Sequence, residues 1–382
     1  MDVFEKCLAL FFSLMILGQA YLVRRFVGTW LFPACLFGLF WFGYTFVPLA
    51  MLFSVPAEPS AIVFIFLCTL AFSIGSLPFD WKTAFERNAR KRETAALVYG
   101  SPFLKVVFYL STLGALLSIA LDLFDQGFSI QDLFFDLYAS AAAYADLLYS
   151  EQLNVNIFVR LTIVCTYLGA ILGGLLFPCM PTKTGRRLVV VLSFLPPILV
   201  AVTQSGKGLL FLCIAFFYAG LLVCRASAGT LRLFEKGSIK SLTLYMAILI
   251  PIVTISFLSR GLYTIEDNEA LIDTLVSYLA SYAFGHIYAF SDWFAFIIGR
   301  HSELAYSHEG ATYGFYTFMG LFKLLGSDKE VPLGIFNEFY TYGDLLAGNI
   351  YTMFRGLILD FGFAGSVLFM LATGILLHQA FQ

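Results

Sequence analysis

The stretch NIYTMFRGLILDFGFAGSVLFMLATGILLH, residues 349–378, opens with polar residues and continues as a long apolar run. Arg355 stands at the mouth of that run, and Asp360 lies about one and a half helical turns further inside it. The run is long enough to cross a bilayer as a helix. Ionisable side chains are costly in hydrocarbon, so Arg355 and Asp360 are candidate functional residues.

Apolar runs of this length recur along the whole chain, and the others cover 7–22, 26–53, 61–79, 103–124, 157–177, 188–204, 208–224 and 241–259. The 382 residues are 60% hydrophobic and 13% charged. Soluble domains carry about 25% charged residues. We therefore predict an all-α, polytopic integral membrane protein with about 9–11 transmembrane helices, forming a single membrane domain over 1–382.

Orientation follows from the basic residues. Four connectors hold 15 of the 23 lysines and arginines but only 4 of the 25 acids, and they lie at 24–25, 80–105, 183–187 and 225–240. The positive-inside rule makes these connectors cytoplasmic. The outer side then receives the N-terminus and the connectors 54–60, 125–156, 205–207 and 260–355.

Two of the outer connectors are long. Residues 125–156 repeat apolar side chains at helical spacing, which predicts an amphipathic helix on the outer interface. The 260–355 region, about 95 residues, is too long for a simple linker. Its apolar segment 271–298 is interrupted by charged or titratable residues, so we expect a re-entrant or interfacial arrangement there. The alternative is a single crossing, with 310–326 crossing back.

Four basic residues stand within or beside spans on the predicted outer side, namely Arg160, Lys207, Arg260 and Arg355. Guanidinium groups and an amine that converge at one membrane face suit a pyrophosphate at headgroup level. The alternative is that each cation pairs privately with an acid such as Asp122, Asp292 or Asp360.

Helical geometry constrains the last span. Arg355 and Asp360 would point about 140° apart around a helix axis, so we expect no direct salt bridge between them. Asp360 is expected to face another helix, towards Arg160 or Lys207. The glycines at 362 and 365 are expected to let a partner helix approach closely.

Tyrosines concentrate in the outer region, with ten of the 20 between residues 260 and 355, including Tyr316 and Tyr351. An interfacial aromatic belt explains many of them, since a tyrosine ring buries its body and keeps its hydroxyl wet. The same rings can stack on the faces of sugar rings. The cluster as a whole therefore favours a carbohydrate or another amphipathic ligand.

Three motifs carry a family resemblance: YGFYTF at 313–318, NIYTMFR at 349–355 and DFGFAG at 360–365. They resemble the Wzy-type oligosaccharide repeat unit (O-antigen) polymerases of bacteria. Two features depart from that pattern. Lys207 stands in the 204–208 tip where related polymerases often carry an arginine, and the chain stops at Gln382 where such proteins commonly continue with further spans, which leaves a short protein or a truncated sequence open.

The resemblance implies a GT-C-like glycosyltransferase of the bacterial inner membrane, with its active site facing the periplasm. It would transfer a growing glycan from undecaprenyl pyrophosphate to a lipid-linked repeat unit, without a metal or cofactor. Its expected partners are the lipid-linked oligosaccharide, membrane lipids and a Wzz-type chain-length co-polymerase, and not nucleic acid.

Residue roles follow from that chemistry. Departure of pyrophosphate from an anomeric carbon develops negative charge, which pre-placed cations stabilise. We assign Arg260 and Arg355 to the pyrophosphate, with Lys207 and Arg160 assisting and with Tyr351 and Tyr316 binding substrate. The attacking hydroxyl needs a base, for which the candidates are Asp292, His286, His301 and Glu338.

Two other functions stay open. An O-antigen ligase-like enzyme would use the same donor and the same arginines with another acceptor. A flippase or transporter would form no bond and would line a path with cations through the cytoplasmic half as well. The unexplained cations lie near the predicted outer face, which favours an enzyme.

Overall fold

The computed structural model describes residues 3–84, 98–129, 131, 135, 137–150, 152–154, 156–204, 206–234, 251, 254, 267–306, 310–332 and 334–382. Its longer helices are α1 Val3–Val27, α2 Pro33–Met51, α3 Pro59–Ile74, α4 Pro102–Asp125, α5 Leu137–Tyr149, α6 Ile157–Leu176, α7 Lys183–Thr203, α8 Lys207–Ser227 and α9 Asn268–Ile297. The short helix α10 Met319–Leu324, the antiparallel strands β1 Tyr340–Tyr342 and β2 Leu346–Gly348, and helix α11 Met353–Phe381 follow.

The membrane character of the chain is confirmed. Within the described residues, seven helices are long and apolar enough to cross a bilayer: α1, α2, α4, α6 with the turn after it, α7, α8 and α11. Helix α3 is apolar but shorter, at 16 residues. The predicted span 241–259 lies outside the described residues apart from positions 251 and 254. The predicted total of about 9–11 spans therefore stays a prediction.

Helix starts follow local chemistry. Proline occupies the first turn of α2, α3 and α4, where its missing N–H costs nothing. The side chain of Asn156 accepts a hydrogen bond from Val159 N at the start of α6, 3.0 Å long. Thr182 does the same for Gly185 N at the start of α7, also at 3.0 Å. These caps satisfy N–H groups that a helix leaves open at its first turn.

The chain forms two compact units. The single membrane domain over 1–382 stays a prediction. The first unit joins Met1–Phe85 to Ile272–Gln382, and the second is Glu86–Leu271. In the first, α1, α2 and α3 pack together and α3 packs on α11. In the second, α6 packs between α4 and α8, and α7 contacts all three.

Close helix approach depends on glycines other than those predicted. A Cβ added at Gly374 of α11 would overlap the Phe72 carbonyl oxygen of α3. Gly174 of α6 is blocked in the same way by the Phe217 carbonyl of α8. Gly362, by contrast, has open space around its Cβ position, and Gly365 meets only Phe361 of its own helix. The prediction that these two glycines admit a partner helix is wrong.

Gly362 has a different function, because it breaks α11. Its backbone angles are φ 68° and ψ −179°, a region essentially reserved for glycine. The segment Met353–Phe361 is therefore a short helix of its own, followed by a second helix that ends at Phe381. Arg355 and Asp360 both lie in the short first part.

Helix α9 is continuous from Asn268 to Ile297. The chain therefore does not turn back within 271–298 as a re-entrant segment would, and α9 is not among the seven candidate spans. The segment 310–326 does not cross back either, because its helix α10 has six residues. An interfacial position of α9 stays a prediction.

Connectors predicted on the outer side meet at one end of the first unit. Lys6, near the start of α1, donates hydrogen bonds to the carbonyl oxygens of Leu52 and Val55. Ser291 of α9 accepts a hydrogen bond from Glu58 N at 2.5 Å. Arg300 forms a salt bridge with Glu58. The N-terminus, the 52–58 turn and the region after α9 therefore share one end, which we call the outer end as predicted.

The amphipathic helix predicted in 125–156 is present as α5. Its buried residues Ala141, Tyr144 and Ala145 recur at helical spacing, and α5 packs against α7. Asp146 is exposed, as expected for its polar face. The other two acids predicted on that face, at 132 and 136, lie outside the described residues.

Candidate functional site

Arg355 is fully buried, with 0% of its surface exposed, and pairs with an acid of its own unit. Its Nη2 donates to Glu338 Oε2 at 2.9 Å, and the Glu338 side chain keeps 15% of its surface exposed. Glu338 lies two residues before β1, and Arg355 is the third residue of α11. Arg355 therefore pairs privately with one acid, as the alternative predicted. That acid is Glu338, which the sequence analysis named only as a candidate base.

Four aromatic rings enclose this ion pair. The Arg355 guanidinium carbon lies 3.9 Å from the ring centre of Phe336, 4.3 Å from that of Tyr351, 5.2 Å from Trp293 and 5.8 Å from Tyr306. Aromatic faces carry negative electrostatic potential that stabilises a cation. A buried arginine also needs hydrogen-bonded compensation to offset its lost hydration. We call these six residues, including Glu338, the Arg355 cluster.

A hydrogen-bonded chain links the cluster to Asp292. The Tyr351 hydroxyl donates to the Glu338 carbonyl oxygen at 3.1 Å, and the Tyr306 hydroxyl donates to Asp292 Oδ2 at 2.9 Å. The side chains of Tyr306 and Tyr351 are hydrogen-bonded to each other. Four residues named from sequence therefore lie in one network: Arg355, Asp292, Tyr351 and Glu338. Tyr306 connects them and was not assigned a separate role from sequence.

Asp292 has the properties of a proton acceptor held inside the protein. Burial raises the pKa of its carboxyl above the usual range, and hydrogen bonds from Glu303 N, Tyr306 and Leu304 N offset part of that rise. Burial and the nearby phenol and carboxylate also raise the pKa of Tyr306. Tyr306 is therefore neutral at physiological pH and available as a hydrogen-bond donor.

Asp360 holds a loop instead of another helix. Its Oδ1 accepts from Thr312 Oγ1 at 2.5 Å and from Tyr316 N at 3.1 Å. Its Oδ2 accepts from Thr317 N at 2.6 Å and Thr317 Oγ1 at 2.7 Å. The expectation that Asp360 points at another helix is wrong. Arg355 and Asp360 do serve different partners, as the 140° estimate implied.

Tyr316, assigned to substrate binding, lies in the segment that Asp360 holds. Its ring centre is 5.1 Å from that of Phe336, which in turn lies over Arg355. A Cβ added at Gly356 would come 3.1 Å from the Tyr316 Cβ, so α11 and this segment are in close contact. Tyr316 therefore borders the Arg355 cluster.

His286, a candidate base, is fixed by a backbone defect in α2. Pro48 has no N–H, so it cannot donate to the Tyr44 carbonyl one turn earlier. His286 Nε2 lies 2.9 Å from that carbonyl oxygen and donates to it in place of the proline. The His286 ring also stacks on Tyr44, with ring centres 3.5 Å apart.

This contact fixes the protonation of His286. Because Nε2 carries the hydrogen, Nδ1 is the unprotonated nitrogen, and it is buried with no hydrogen-bond partner among the described residues. Burial lowers the pKa of His286 to about 4, so the ring is neutral at physiological pH. The geometry gives His286 a helix-docking role, and its catalytic assignment stays a prediction. The other histidine candidate, His301, is exposed.

A buried lysine near the N-terminus was missed from sequence. Lys6 Nζ donates to the Tyr288 hydroxyl at 2.9 Å, in addition to its two carbonyl partners, and is fully buried. The Tyr288 hydroxyl lies 2.9 Å from the Pro48 carbonyl oxygen and 2.8 Å from that of Leu52. Lys6 thus compensates the open carbonyls at the end of α2. Its place in the first helical turn of an apolar run was the available signal.

The second unit holds Arg160 and Lys207 at a common level. Helices α6 and α8 run parallel, because Gly174 packs against Phe217 and Leu221 while Cys213 Sγ lies 3.9 Å from the Thr166 carbonyl oxygen. The same register places Arg160 and Lys207 at similar heights along the two helices. Arg160 is exposed and Lys207 is buried.

Convergence of all four cations stays a prediction. Arg160 and Lys207 belong to one unit and Arg355 to the other. Arg260 lies outside the described residues. The contacts of the described residues therefore do not show a pyrophosphate site formed by these four cations.

Asp122 organises one end of the second unit, and the sequence analysis did not assign it a structural role. Its carboxylate is buried and accepts hydrogen bonds from four neutral side chains: Tyr144 Oη at 3.1 Å, Gln204 Nε2 at 3.0 Å, Asn156 Nδ2 at 3.0 Å and Gln126 Nε2 at 3.3 Å. These donors come from α5, the end of α7, the start of α6 and the end of α4. The private-pair alternative named Asp122 as a partner of a cation, whereas its described partners are neutral.

Comparison with known proteins yields no match to a family model, a curated protein or a solved structure.

Proposed function

We propose that this protein is an inner-membrane polymerase that joins lipid-linked oligosaccharide repeat units at the periplasmic face. The supporting observation is the Arg355 cluster: a buried guanidinium and a partly exposed carboxylate, walled by aromatic rings, at the outer end of an apolar helical unit. A cation stabilises the charge on an anionic leaving group, and a carboxylate can take the proton of an attacking hydroxyl. Aromatic rings can stack on the faces of sugar rings. The family resemblance points to the same chemistry.

The reaction divides between these groups. The acceptor hydroxyl oxygen forms a bond to the anomeric carbon of the donor glycan. The bond from that carbon to the pyrophosphate oxygen breaks, and undecaprenyl pyrophosphate leaves with the electron pair. Arg355 stabilises the charge on the leaving oxygen once Glu338 turns aside, and this requires no metal.

The acceptor proton has two routes. It passes directly to Glu338, or it passes through the Tyr351 and Tyr306 hydroxyls to Asp292, which ends as the carboxylic acid. The second route requires the Tyr351 hydroxyl to turn from the Glu338 carbonyl oxygen and donate to Tyr306, whose own hydroxyl already donates to Asp292. Both routes leave the total charge unchanged.

The test uses the purified protein in bilayers with lipid-linked repeat units as sole substrate. A polymerase yields a ladder of longer glycans on the lipid and releases undecaprenyl pyrophosphate. A ligase needs a second acceptor before any bond forms, and a flippase moves the glycan across the bilayer without a new bond. Single repeat units that stay unjoined, together with unchanged glycan length in a strain lacking the protein, would refute the proposal.

A pH profile tests the Asp292 route. A carboxylate base works only when deprotonated, so activity rises with pH through the raised pKa of Asp292. Tyr306 carries the proton to Asp292 and its hydrogen bond lowers the Asp292 pKa, so Tyr306→Phe is expected to lower kcat and to move the acidic limb of the remaining activity to higher pH. Tyr282→Phe, an exposed tyrosine of α9, is the matched control. An unmoved limb in Tyr306→Phe would assign the base role elsewhere, with Glu338→Gln as the next variant.

A further inference from the structure

The loop 312–327 presents an apolar surface although it spans nothing. Leu324 is 82% exposed and Leu325 is 76% exposed. Tyr313, Phe318 and Leu321 are exposed beside them. Five large exposed apolar side chains within 13 residues indicate a surface that a partner or a membrane covers.

The loop lies against the flank of a candidate membrane span. The Phe318 ring centre is 6.1 Å from that of Phe369, and Phe369 stacks on Phe361 at 5.1 Å. Helix α11 continues for about 19 residues after Gly362, or roughly 28 Å, which matches a hydrocarbon core of about 30 Å. Phe369 then lies roughly 10 Å below the start of that core.

The loop lies beside an exposed apolar position of α11. Leu368 is exposed and directly precedes Phe369, the residue that contacts Phe318. An exposed apolar face on a spanning helix faces lipid. The occupant that covers both surfaces without a break is therefore the bilayer itself.

Most of the loop backbone is hydrogen-bonded, which favours entry into hydrocarbon because an unsatisfied N–H costs several kcal/mol there. The N–H groups of Tyr316 and Thr317 donate to Asp360. Those of Phe315, Phe318, Leu321, Phe322, Leu325, Gly326 and Ser327 donate to carbonyl oxygens inside the loop. Thr312 N is tied to the Leu359 carbonyl of α11 at 3.0 Å.

Charged residues stand on both sides of the Leu324–Leu325 tip. Asp328, Lys329 and Glu330 follow it and are all exposed. Lys329 Nζ lies 4.6 Å from the ring centre of Phe315, so its amine packs on the loop. Lys323 precedes the tip, and its Nζ donates to the Lys329 carbonyl oxygen at 2.5 Å, which turns its amine towards the 328–330 segment as in a lysine that snorkels to a headgroup boundary.

We infer that residues 312–327 insert into the outer leaflet of the membrane as a non-spanning loop beside α11. The tip at Leu324 and Leu325 enters the acyl region, and 328–330 stay among the headgroups. The inference does not depend on glycosyl transfer. It also explains why Asp360, an acid inside an apolar helix, accepts hydrogen bonds from backbone amides of this loop.

Tryptophan scanning in bilayers tests the insertion. Leu324→Trp and Leu325→Trp are reconstituted in vesicles of ordinary phosphatidylcholine or of phosphatidylcholine brominated on its acyl chains. The parent protein, with its four native tryptophans, supplies the background to subtract. Asp344→Trp, at an exposed position between β1 and β2, is the matched control at the same end.

The expected result is blue-shifted emission from Leu324→Trp and Leu325→Trp that is quenched by acyl-chain bromine. Asp344→Trp emission should be red and unquenched. Red, unquenched emission from both loop variants would overturn the inference, and blue-shifted emission without quenching would assign the surface to a protein partner instead. Substitution at these exposed positions leaves the core packing intact, so both variants are expected to fold.

Discussion

Arg355→Ala is expected to lower the rate of glycan joining by roughly 100- to 1,000-fold, the usual effect of removing one charge-stabilising donor from a transition state. Arg355→Lys keeps the charge but loses the planar fork, so it should recover only part of the rate. The measurement is the rate of ladder formation from lipid-linked repeat units. Arg300→Ala is the matched control, because Arg300 lies at the same end with a 55% exposed side chain and an acid partner.

Loss of the ion pair also threatens the fold, and a double variant separates the two effects. Removing one partner of a buried pair costs about 3–5 kcal/mol, whereas replacing both by uncharged groups of similar volume is often neutral. Arg355→Met combined with Glu338→Gln should therefore unfold near the parent temperature and yet form no ladder. Full activity in this stable double variant would show that the pair is structural, and the leaving-group role of Arg355 would be withdrawn.

Asp360→Ala is expected to have the largest effect on stability. It removes four hydrogen bonds and leaves the N–H groups of Tyr316 and Thr317 unpaired in apolar surroundings. Each orphaned group costs about 1–3 kcal/mol, so a loss of several kcal/mol is expected. Thermal unfolding of the detergent-solubilised protein measures it. Asp360→Asn keeps one acceptor oxygen and should lose less.

The control for Asp360 is Asp344→Ala, which removes an exposed carboxylate from the same end of the unit. It should change the unfolding temperature little. Limited proteolysis adds a local readout, because Asp360→Ala should make the chain near residues 312–327 cleavable. An Asp360→Ala protein as stable and as resistant as Asp344→Ala would contradict the anchoring role.

Apolar run length predicted most of the helices because hydrocarbon imposes one requirement on every span. Seven runs became spanning-length helices and 61–79 became the shorter α3. The helix α9 was harder, because Asp273, His286 and Asp292 resembled interruptions. Two of these three acquire local partners: His286 donates to the carbonyl that Pro48 leaves open, and Asp292 accepts from the turn after α9. Such partners cannot be seen from spacing.

The candidate site was predictable residue by residue but not as pairs. Arg355 stood out because a charge in an apolar run is rare. Its partner Glu338 lies 17 positions earlier in an irregular segment, where no periodicity predicts direction. The prediction for Gly362 failed for another reason. Its spacing from Gly365 suggested helix packing, whereas its positive φ breaks the helix. Residue types therefore identified the candidate residues, but the sequence did not predict where their side chains point.

The order of synthesis has a consequence for the first unit, because its two halves are separated in the chain by the whole of Glu86–Leu271. At about 5–20 residues per second, a ribosome takes roughly 10–40 s to make that intervening part. During this interval Lys6 has its carbonyl partners from the first helical hairpin but not the Tyr288 hydroxyl, which lies 282 positions later. Helices α1–α3 therefore lack the hydrogen bond to Tyr288 until α9 has been synthesised. Because Lys6→Met removes this charge, membrane insertion of the N-terminal helices is expected to be more favourable in that variant.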